Sequence, residues 1–364
     1  MKRVTLELRV RQARITTYRE AQRKRWRQGQ AERMRWRQGH TSTSSRQSYF
    51  PPGSKIPAPT TFDLIRDHKG EITRFLRAVA DSVLIHKKPV HLNFKHTEFF
   101  YVPATILLFA EIDRICSLAE IIKPVSIIDP IKRRPREVLK QIGLHQLTKD
   151  TCDIVPERED VVYWKATKGA TQTGDTYATL VEAVAERANR DHVKHLEVSG
   201  LWRSVSEAVA NSVEHAYKYP RKDGFGGVPD TKWWMFSQIK DGYFSLAVCD
   251  LGCGYQKTID ETLPERFVAL VASQFIGTNR DALAIDTAME FGRSGTHQSH
   301  RGKGSRDALS LLAKHGTGEL AVISNTGWMR YEYQNTKETK REAGSLSSSM
   351  GGTILWWRLP LIED

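Results

Sequence analysis

Apolar and small residues recur three and four positions apart between residues 199 and 217, which predicts a helix with one packed face. The positions on that face are Leu201, Val205, Ala208, Val209, Ser212, Val213 and Ala216. Glu207 and Asn211 lie one helical turn apart, so their side chains project side by side. A carboxylate beside a carboxamide can place a general base next to a magnesium ligand. The same pair also occurs on ordinary solvent-exposed helix edges.

The chain before this helix alternates between helical and extended patterns. Apolar spacing predicts, in order, a helix over 62–85, a strand over 90–94, a helix over 104–122, a strand over 125–129 and a helix over 136–142. Pro103 suits the first turn of the second helix, and Gly143 ends the third. This alternation predicts a small α/β layer structure.

The second half of the chain predicts further strands and helices. The expected strands cover 161–165, 244–249, 320–324 and 352–359, and the expected helices cover 175–189 and a stretch whose apolar positions are Ala308, Leu309, Leu311, Leu312 and Ala313. The polar stretch 335–350 predicts a flexible loop.

Asp250 follows the predicted strand 244–249, and Gly252 and Gly254 come two and four residues later. A buried carboxylate can accept a hydrogen bond from an exocyclic amine, and glycines let a flat ring lie against bare backbone. The same pattern occurs in ordinary turns, where glycine supplies a positive φ. The motif alone therefore predicts either a base-recognition site or a plain turn.

Gly302, Lys303 and Gly304 directly precede the predicted helix around Leu309. Such a loop presents backbone amides and the positive end of a helix dipole to a phosphate, and the lysine adds a full charge. A simple helix-capping loop has the same composition.

Positive charge is concentrated at the start of the chain. The net charge is +13, and residues 1–50 contribute +11 of it through 14 Lys/Arg against 3 Glu. Residues 1–60 also repeat R-W-R-Q-G at 25–29 and 35–39 and carry few aliphatic side chains, which predicts a basic disordered tail. Interleaved Arg and Trp suit nucleic-acid phosphates and bases. The alternatives are a solvated tail or translated upstream codons.

The cysteines and the hydropathy pattern indicate where in the cell the protein is located. Cys116, Cys152, Cys249 and Cys253 are scattered, which favours reduced thiols and a cytoplasmic protein. Cys249 and Cys253 have no second Cys/His pair at ligand spacing, so we interpret them as small buried residues. No apolar run approaches the roughly 20 residues of a membrane span, and no signal-peptide core is visible.

Four motifs over residues 156–364 together resemble the GHKL ATP-binding fold of gyrase-type ATPases, heat-shock chaperones, MutL-like proteins, histidine kinases and anti-sigma serine kinases. They are Glu207-x-x-x-Asn211, Asp250-x-Gly252-x-Gly254, Gly302-x-Gly304 and Gly352-Thr353. The run 206–217 looks most like the anti-sigma kinase branch. The resemblance implies an α+β two-layer sandwich, in which helices cover one face of a mixed sheet.

The resemblance also implies a role for each matching residue. Asn211 would ligate Mg²⁺, Glu207 would act as the catalytic base, and Asp250 would bind the adenine amino group of ATP. The residues that would support these roles are Gly252, Gly254 and Thr353 at the adenine and Gly302, Lys303 and Gly304 at the phosphates. Residues 255–301 would form a mobile lid. The chain departs from the family at 305–307, where Ser-Arg-Asp precede the apolar helix.

Residues 61–150 resemble a smaller α/β domain, the STAS domain of anti-sigma-factor antagonists, in the order of their predicted elements. Those antagonists carry a phosphorylatable serine at the start of the long helix. Here Tyr-Val-Pro-Ala stands at 101–104, with Thr105 as the nearby hydroxyl. The resemblance therefore implies an interaction module that has lost its phosphoacceptor and binds a protein partner.

Three functions remain open at this stage. The leading hypothesis is Mg²⁺-dependent ATP hydrolysis that gates a conformational change or a partner interaction. The second is a serine/threonine kinase of the anti-sigma type. The third is an ATP-gated nucleic-acid-binding or scaffold protein that uses the basic tail. The sequence also leaves open whether the protein forms a homodimer.

Overall fold

The computed structural model describes residues 54–155, 157, 165–170, 198–221, 232–262, 279–293 and 304–361. Outside these residues lie positions 1–53 of the predicted tail, the predicted helix 175–189, most of the predicted strand 161–165, and Gly302 and Lys303. The prediction of disorder is wrong for the end of the tail, because Lys55–Pro57 forms a strand that pairs with the strand Val90–Asn93. The described part combines α-helices with three β-sheets, so its architecture is mixed α/β, as expected.

The N-terminal layer is built on a three-stranded parallel sheet in the order β1-β3-β5. Its strands are β1 (Lys55–Pro57), β3 (Val90–Asn93) and β5 (Val125–Ile128), and a separate two-stranded pair joins β2 (Thr61–Phe62) to β4 (Phe99–Phe100). The helices of this layer are α1 (Glu71–Ala80), α2 (Val102–Leu118), α3 (Arg133–Gln141) and α4 (Leu144–Thr148).

Most expectations for this layer are confirmed, and the start of the first helix is the main difference. That helix begins at Glu71 rather than at residue 62, because the Asp67 carboxylate accepts hydrogen bonds from the N–H groups of Glu71 and Ile72, both at 2.8 Å. Phe62 instead belongs to β2. Pro103 lies in the first turn of α2, and Gly143, with φ 82°, follows the end of α3.

The C-terminal part forms a seven-stranded sheet in the order β11-β10-β9-β12-β8-β7-β6. The strands are β6 (Lys165–Gly169), β7 (Trp233–Lys240), β8 (Tyr243–Asp250), β9 (Gly318–Ser324), β10 (Gly327–Gln334), β11 (Lys337–Ser345) and β12 (Thr353–Pro360). Every neighbouring pair is antiparallel. The expectation of a mixed sheet is therefore wrong for the described strands.

Both faces of this sheet are covered, whereas the family resemblance implied helices on one face. Trp233 and Met235 of β7 lie in one core with residues of α5 (Val198–Asn211), α7 (Arg280–Arg293) and α8 (Gly304–His315). Trp234 and Phe236 point the other way and share a core with α2. The unbroken apolar run of β7 reflects this burial on two sides. The core of the N-terminal layer is thus continuous with one face of the large sheet.

The predicted loop over 335–350 is wrong, because Lys337–Ser345 forms β11 and pairs with β10. Asn335 and Thr336 form the two-residue turn, and both have positive φ, as a tight hairpin requires. Among the described residues, no helix has the length and apolarity needed to cross a membrane.

Candidate functional site

The helix that carries Glu207 and Asn211 has the predicted packed face. Its apolar residues Leu201, Val205, Ala208 and Val209 are buried, while Glu207 and Asn211 are both half-buried one turn apart. After Asn211 the helix continues as a π-helical turn, Ser212–Ala216. Such turns are frequent at functional sites. This one brings its backbone against the loop that follows β8.

Asp250 is the last residue of β8 and lies at the centre of the sheet's end. It is the register partner of Thr353 on β12 and of Trp233 on β7, and all three residues are buried. Its Oδ1 accepts a hydrogen bond from the Gly252 N–H at 2.9 Å. The structure therefore brings together Asp250, Gly252 and Thr353, three of the residues that the sequence predicted for one site.

Burial raises the pKa of Asp250 from its ordinary value near 3.8 to about 7. The backbone N–H groups of Gly252 and Thr353, the Arg221 charge and the Ser212 hydroxyl oppose this shift without cancelling it. Ser212 belongs to the π-helical turn, so the helix carrying Glu207 and Asn211 reaches the aspartate directly. The Asp250 carboxyl group therefore changes its proton occupancy close to neutral pH.

The two glycines after Asp250 are needed for packing within the protein. A Cβ on Gly252 would collide with the carbonyl oxygen of Ala216, and the adjacent Cys253 N–H donates to that oxygen at 2.8 Å. Gly254 has φ 78°, and a Cβ there would collide with the Asn325 side chain. Packing within the protein therefore requires glycine at both positions, whether or not the flat ring of a ligand lies against this backbone.

Tyr255 also belongs to this site, although no pattern in the sequence marked it. Burial raises the pKa of its hydroxyl, and the carboxylates of Asp250 and Glu207 raise it further. Both predicted carboxylates therefore lie within electrostatic reach of one phenol. The Tyr255 N–H donates to Ser324 Oγ at 3.0 Å, and Ser324 Oγ lies 3.4 Å from Thr353 Oγ1.

Tyr217 and Arg221 also lie at this site, and the sequence did not mark them as functional. The Tyr217 hydroxyl accepts from the Leu251 N–H at 3.2 Å and donates to the Lys232 carbonyl. Burial and then the Asp250 charge raise its pKa. Tyr217 and Arg221 follow Asn211 by six and ten residues, and a tyrosine or an arginine at such a distance from a helical motif is too common to be a signal.

The predicted lid contains ordered elements. Within 255–301 the structure describes α6 (Tyr255–Thr262) and α7 (Arg280–Arg293). The Asn279 carboxamide oxygen caps α7 through the Asp281 N–H at 2.9 Å, and the Asp281 carboxylate accepts from the Thr326 N–H at 3.1 Å. Because α7 is tied to the turn between β9 and β10, this part of the segment belongs to the packed structure. That the segment 255–301 moves as a lid stays a prediction.

The predicted phosphate loop is described only at its last residue. Gly304 begins α8, whose expected apolar residues Ala308, Leu309, Leu311 and Leu312 are buried. At the other end of the site, Gly352 has φ 141°, and a Cβ there would collide with the Asp250 carbonyl oxygen. The Gly352-Thr353 pair is therefore fixed against the end of β8.

The side chains at this site can accept a hydrogen bond from a ligand and can offer oxygen atoms to a metal ion. Asp250 can accept a hydrogen bond from an amine at a site that is shielded from water, and Asn211 and Glu207 offer oxygen atoms of the kind that Mg²⁺ binds. A comparison with protein-family models gives no match, and a search among curated proteins gives none either. The resemblance to GHKL proteins accordingly rests on the motifs themselves.

Proposed function

We propose that this protein binds ATP with Mg²⁺ at the end of β8, in the manner of the GHKL ATP-binding fold, and hydrolyses it to gate a partner interaction. Asp250 binds the adenine amino group, with Gly252, Gly254 and Thr353 supporting it. Gly302, Lys303 and Gly304 hold the phosphates, and Asn211 ligates the metal ion. The proposal includes a cytoplasmic location, in line with four thiols that form no disulfide.

The observation that carries this proposal is the pairing of Asp250 with Thr353 at the centre of the sheet's end. The two residues belong to separate motifs 103 positions apart in the sequence, yet they are register partners and both are buried. A buried carboxylate whose pKa is raised by desolvation is a feature of functional sites as well as of structural networks. Its remaining acceptor capacity suits an exocyclic amine.

Glu207 supports hydrolysis rather than binding alone. It is half-buried, and its charge acts on Tyr255, as the charge of Asp250 does, so the two carboxylates lie near the same phenol. When bound, ATP supplies the transferable γ-phosphoryl group. Glu207 would orient a water molecule and accept its proton, a contribution worth roughly 10²–10⁴-fold in rate.

A protein kinase is the second candidate, because the run 206–217 looks most like the anti-sigma serine kinases. In that case the same base would act on a serine or threonine hydroxyl of a protein substrate. The N-terminal layer, which shares a core with the large sheet, would then bind the substrate protein.

A magnesium-dependent assay with γ-labelled ATP separates these outcomes by following free phosphate and protein-bound label together. We expect the wild type to release phosphate, and Glu207→Gln to lose that activity while still binding ATP. Glu214→Gln is the matched control, because Glu214 lies on the same helical stretch and is exposed. Stable label on serine or threonine would indicate the kinase instead. Equal phosphate release by wild type and Glu207→Gln would contradict the role of Glu207.

A further inference from the structure

Asp129, His145 and Cys152 form a compact cluster in the N-terminal layer. Asp129 directly follows β5, His145 belongs to α4, and Cys152 follows α4. Each residue offers one ligand atom, and the carboxylate oxygen, ring nitrogen and sulfur all lie within 4.8 Å of one another. Three different donor atoms therefore meet at the carboxyl end of a parallel strand, where open α/β sheets commonly bind ligands.

The imidazole of His145 is buried and directs one ring nitrogen at Asp129. The side chain is 3% exposed, and its Nε2 lies 2.8 Å from Asp129 Oδ1. Its Nδ1 is buried and has no hydrogen-bond partner in the part of the chain that the structure describes. Because Nε2 faces Asp129, it is the nitrogen that can share an ion with that carboxylate, whereas Nδ1 lies on the other edge of the ring.

A cavity of about 530 Å³ opens beside the cluster and gives an ion access to it. Asp129 and Cys152 line this cavity together with Arg133, Arg136 and Asp153. Arg133 pairs with Glu137 at 2.8 Å, and Arg136 donates to the Pro130 carbonyl at 3.0 Å. Both arginines repel a bare cation, so the negative charges of two ligands, the Asp129 carboxylate and a Cys152 thiolate, have to compensate for them.

We propose that Asp129, His145 and Cys152 bind a divalent transition metal ion of the zinc class. A set of sulfur, nitrogen and carboxylate oxygen is typical of zinc, whereas Mg²⁺ and Ca²⁺ prefer oxygen alone. Ionised Asp129 and a Cys152 thiolate together neutralise the two charges of the ion. Zinc bonds of about 2.0–2.3 Å place tetrahedral ligand atoms some 3.4 Å apart, so small side-chain shifts bring the cluster to that geometry.

Three protein ligands leave a fourth position on the ion, and the adjoining cavity can supply water to it. This composition matches sites that keep an exchangeable position rather than fully closed structural sites. Because the thiol must lose its proton, binding releases protons and strengthens as the pH rises.

Titration of the full chain with Co²⁺ tests the site, since a cobalt–thiolate bond gives a charge-transfer absorption band that Mg²⁺ sites lack. We expect one equivalent of Co²⁺ with this band in the wild type, and displacement of the cobalt by Zn²⁺. Cys152→Ser should abolish the band and weaken zinc binding at least about tenfold. Cys116→Ser, which removes another half-buried thiol, should leave both unchanged.

Asp129→Asn provides a second variant that keeps the shape of the side chain and weakens binding through the loss of an anionic ligand. Circular dichroism of each variant verifies that it is folded. A wild type without a stoichiometric charge-transfer band would overturn the proposal, and so would a band that persists in Cys152→Ser.

Discussion

Arg221 forms an ion pair with Glu111, although 110 residues separate them in the chain. Glu111 belongs to α2 of the N-terminal layer, and Arg221 lies just after the π-helical turn of the candidate site. The two side chains are 10% and 5% exposed. Arg221 also donates to the Met350 carbonyl at 3.0 Å, close to the Gly352-Thr353 motif. One buried ion pair therefore connects the N-terminal layer to the proposed nucleotide site.

Replacing Glu111 with glutamine should destabilise the protein by about 3 kcal/mol, because it leaves the Arg221 charge buried without its counter-ion. Glu120→Gln is the matched control, since Glu120 forms an exposed pair with Lys87 at 2.9 Å and should contribute less than about 1 kcal/mol. Urea denaturation measures both values. Equal effects of the two substitutions would contradict the role of the pair.

The contribution of Glu111 should also depend on pH. Burial raises its pKa, but Arg221 and Arg114 outweigh that effect and hold the pKa below its ordinary value. The stabilisation is therefore present above the pKa of an unfolded glutamate and is lost as the pH falls through the lower folded value. The stability difference between wild type and Glu111→Gln should shrink below about pH 4. A difference that stays constant from pH 6 to pH 3 would contradict this assignment.

The stability contributed by Asp250 should depend on pH in the opposite direction to that contributed by Glu111. Its pKa is raised to about 7 in the folded protein, so the folded state holds an extra proton between about pH 4 and pH 7. The wild type should lose stability over that interval as the pH rises, whereas Asp250→Asn does not titrate. The variant should therefore gain stability relative to the wild type by a few kcal/mol at most, since one pKa unit corresponds to about 1.4 kcal/mol. Asp241→Asn, at an exposed turn, is the control for removing a negative charge. Thermal unfolding measures the stability of the wild type and of Asp250→Asn at each pH. If the difference between them stays constant from about pH 4 to pH 7, Asp250 is already ionised over that interval.

Gly252→Ala should cost more stability than Gly316→Ala. A Cβ on Gly252 collides with the Ala216 backbone, which cannot move without disturbing the π-helical turn. Gly316 has φ 90° but open space around it, so its substitution costs only backbone strain of about 1–2 kcal/mol. Guanidinium denaturation of the two variants gives the comparison. A smaller effect at Gly252 would mean that the loop after β8 relaxes away from the turn.

The hairpin turn between β10 and β11 should accept glycine. Thr336 has φ 64°, which is unfavourable for a β-branched side chain, and Asn-Gly is the preferred pair for a two-residue turn with positive φ. Thr336→Gly should therefore raise the free energy of unfolding by about 0.5–1 kcal/mol. Thr339→Gly, inside β11, should lower it instead. Urea denaturation distinguishes the two signs, and a loss of stability in Thr336→Gly would contradict the turn geometry.

The periodic elements could be predicted from the sequence because their burial has a simple pattern. The packed face of α5 and the apolar helix α8 are examples. β11 could not, because its residues are mostly exposed and charged and carry no apolar alternation. Cross-strand ion pairs, such as Arg330 with Glu342 and Lys340 with Glu332, accompany its pairing with β10. Such pairs depend on a register that only the folded hairpin defines.

The candidate site was predictable only in part. Asp250 and Thr353 belong to short motifs, and the sheet makes them register partners. Their roles in nucleotide binding stay a prediction. Glu111, Asp113 and Arg114 fall inside the predicted helix 104–122, and nothing marked them as buried, because a sequence does not show that a helix will be buried on all sides. Lys168 and Arg221, their distant ion-pair partners, become neighbours through the tertiary fold alone.

Equilibrium dialysis of labelled ATP against the full chain, with and without Mg²⁺, tests the central proposal most directly. The wild type should bind one ATP per chain, more tightly with Mg²⁺. Asp250→Asn should remain folded but bind ATP at least about tenfold more weakly than the wild type. The reason is that a carboxamide presents one acceptor oxygen, whereas the carboxylate presents two. Asp241→Asn should bind like the wild type. A wild type that binds no ATP, or an Asp250→Asn variant that binds it equally well, would contradict the assignment of a nucleotide site to the end of β8.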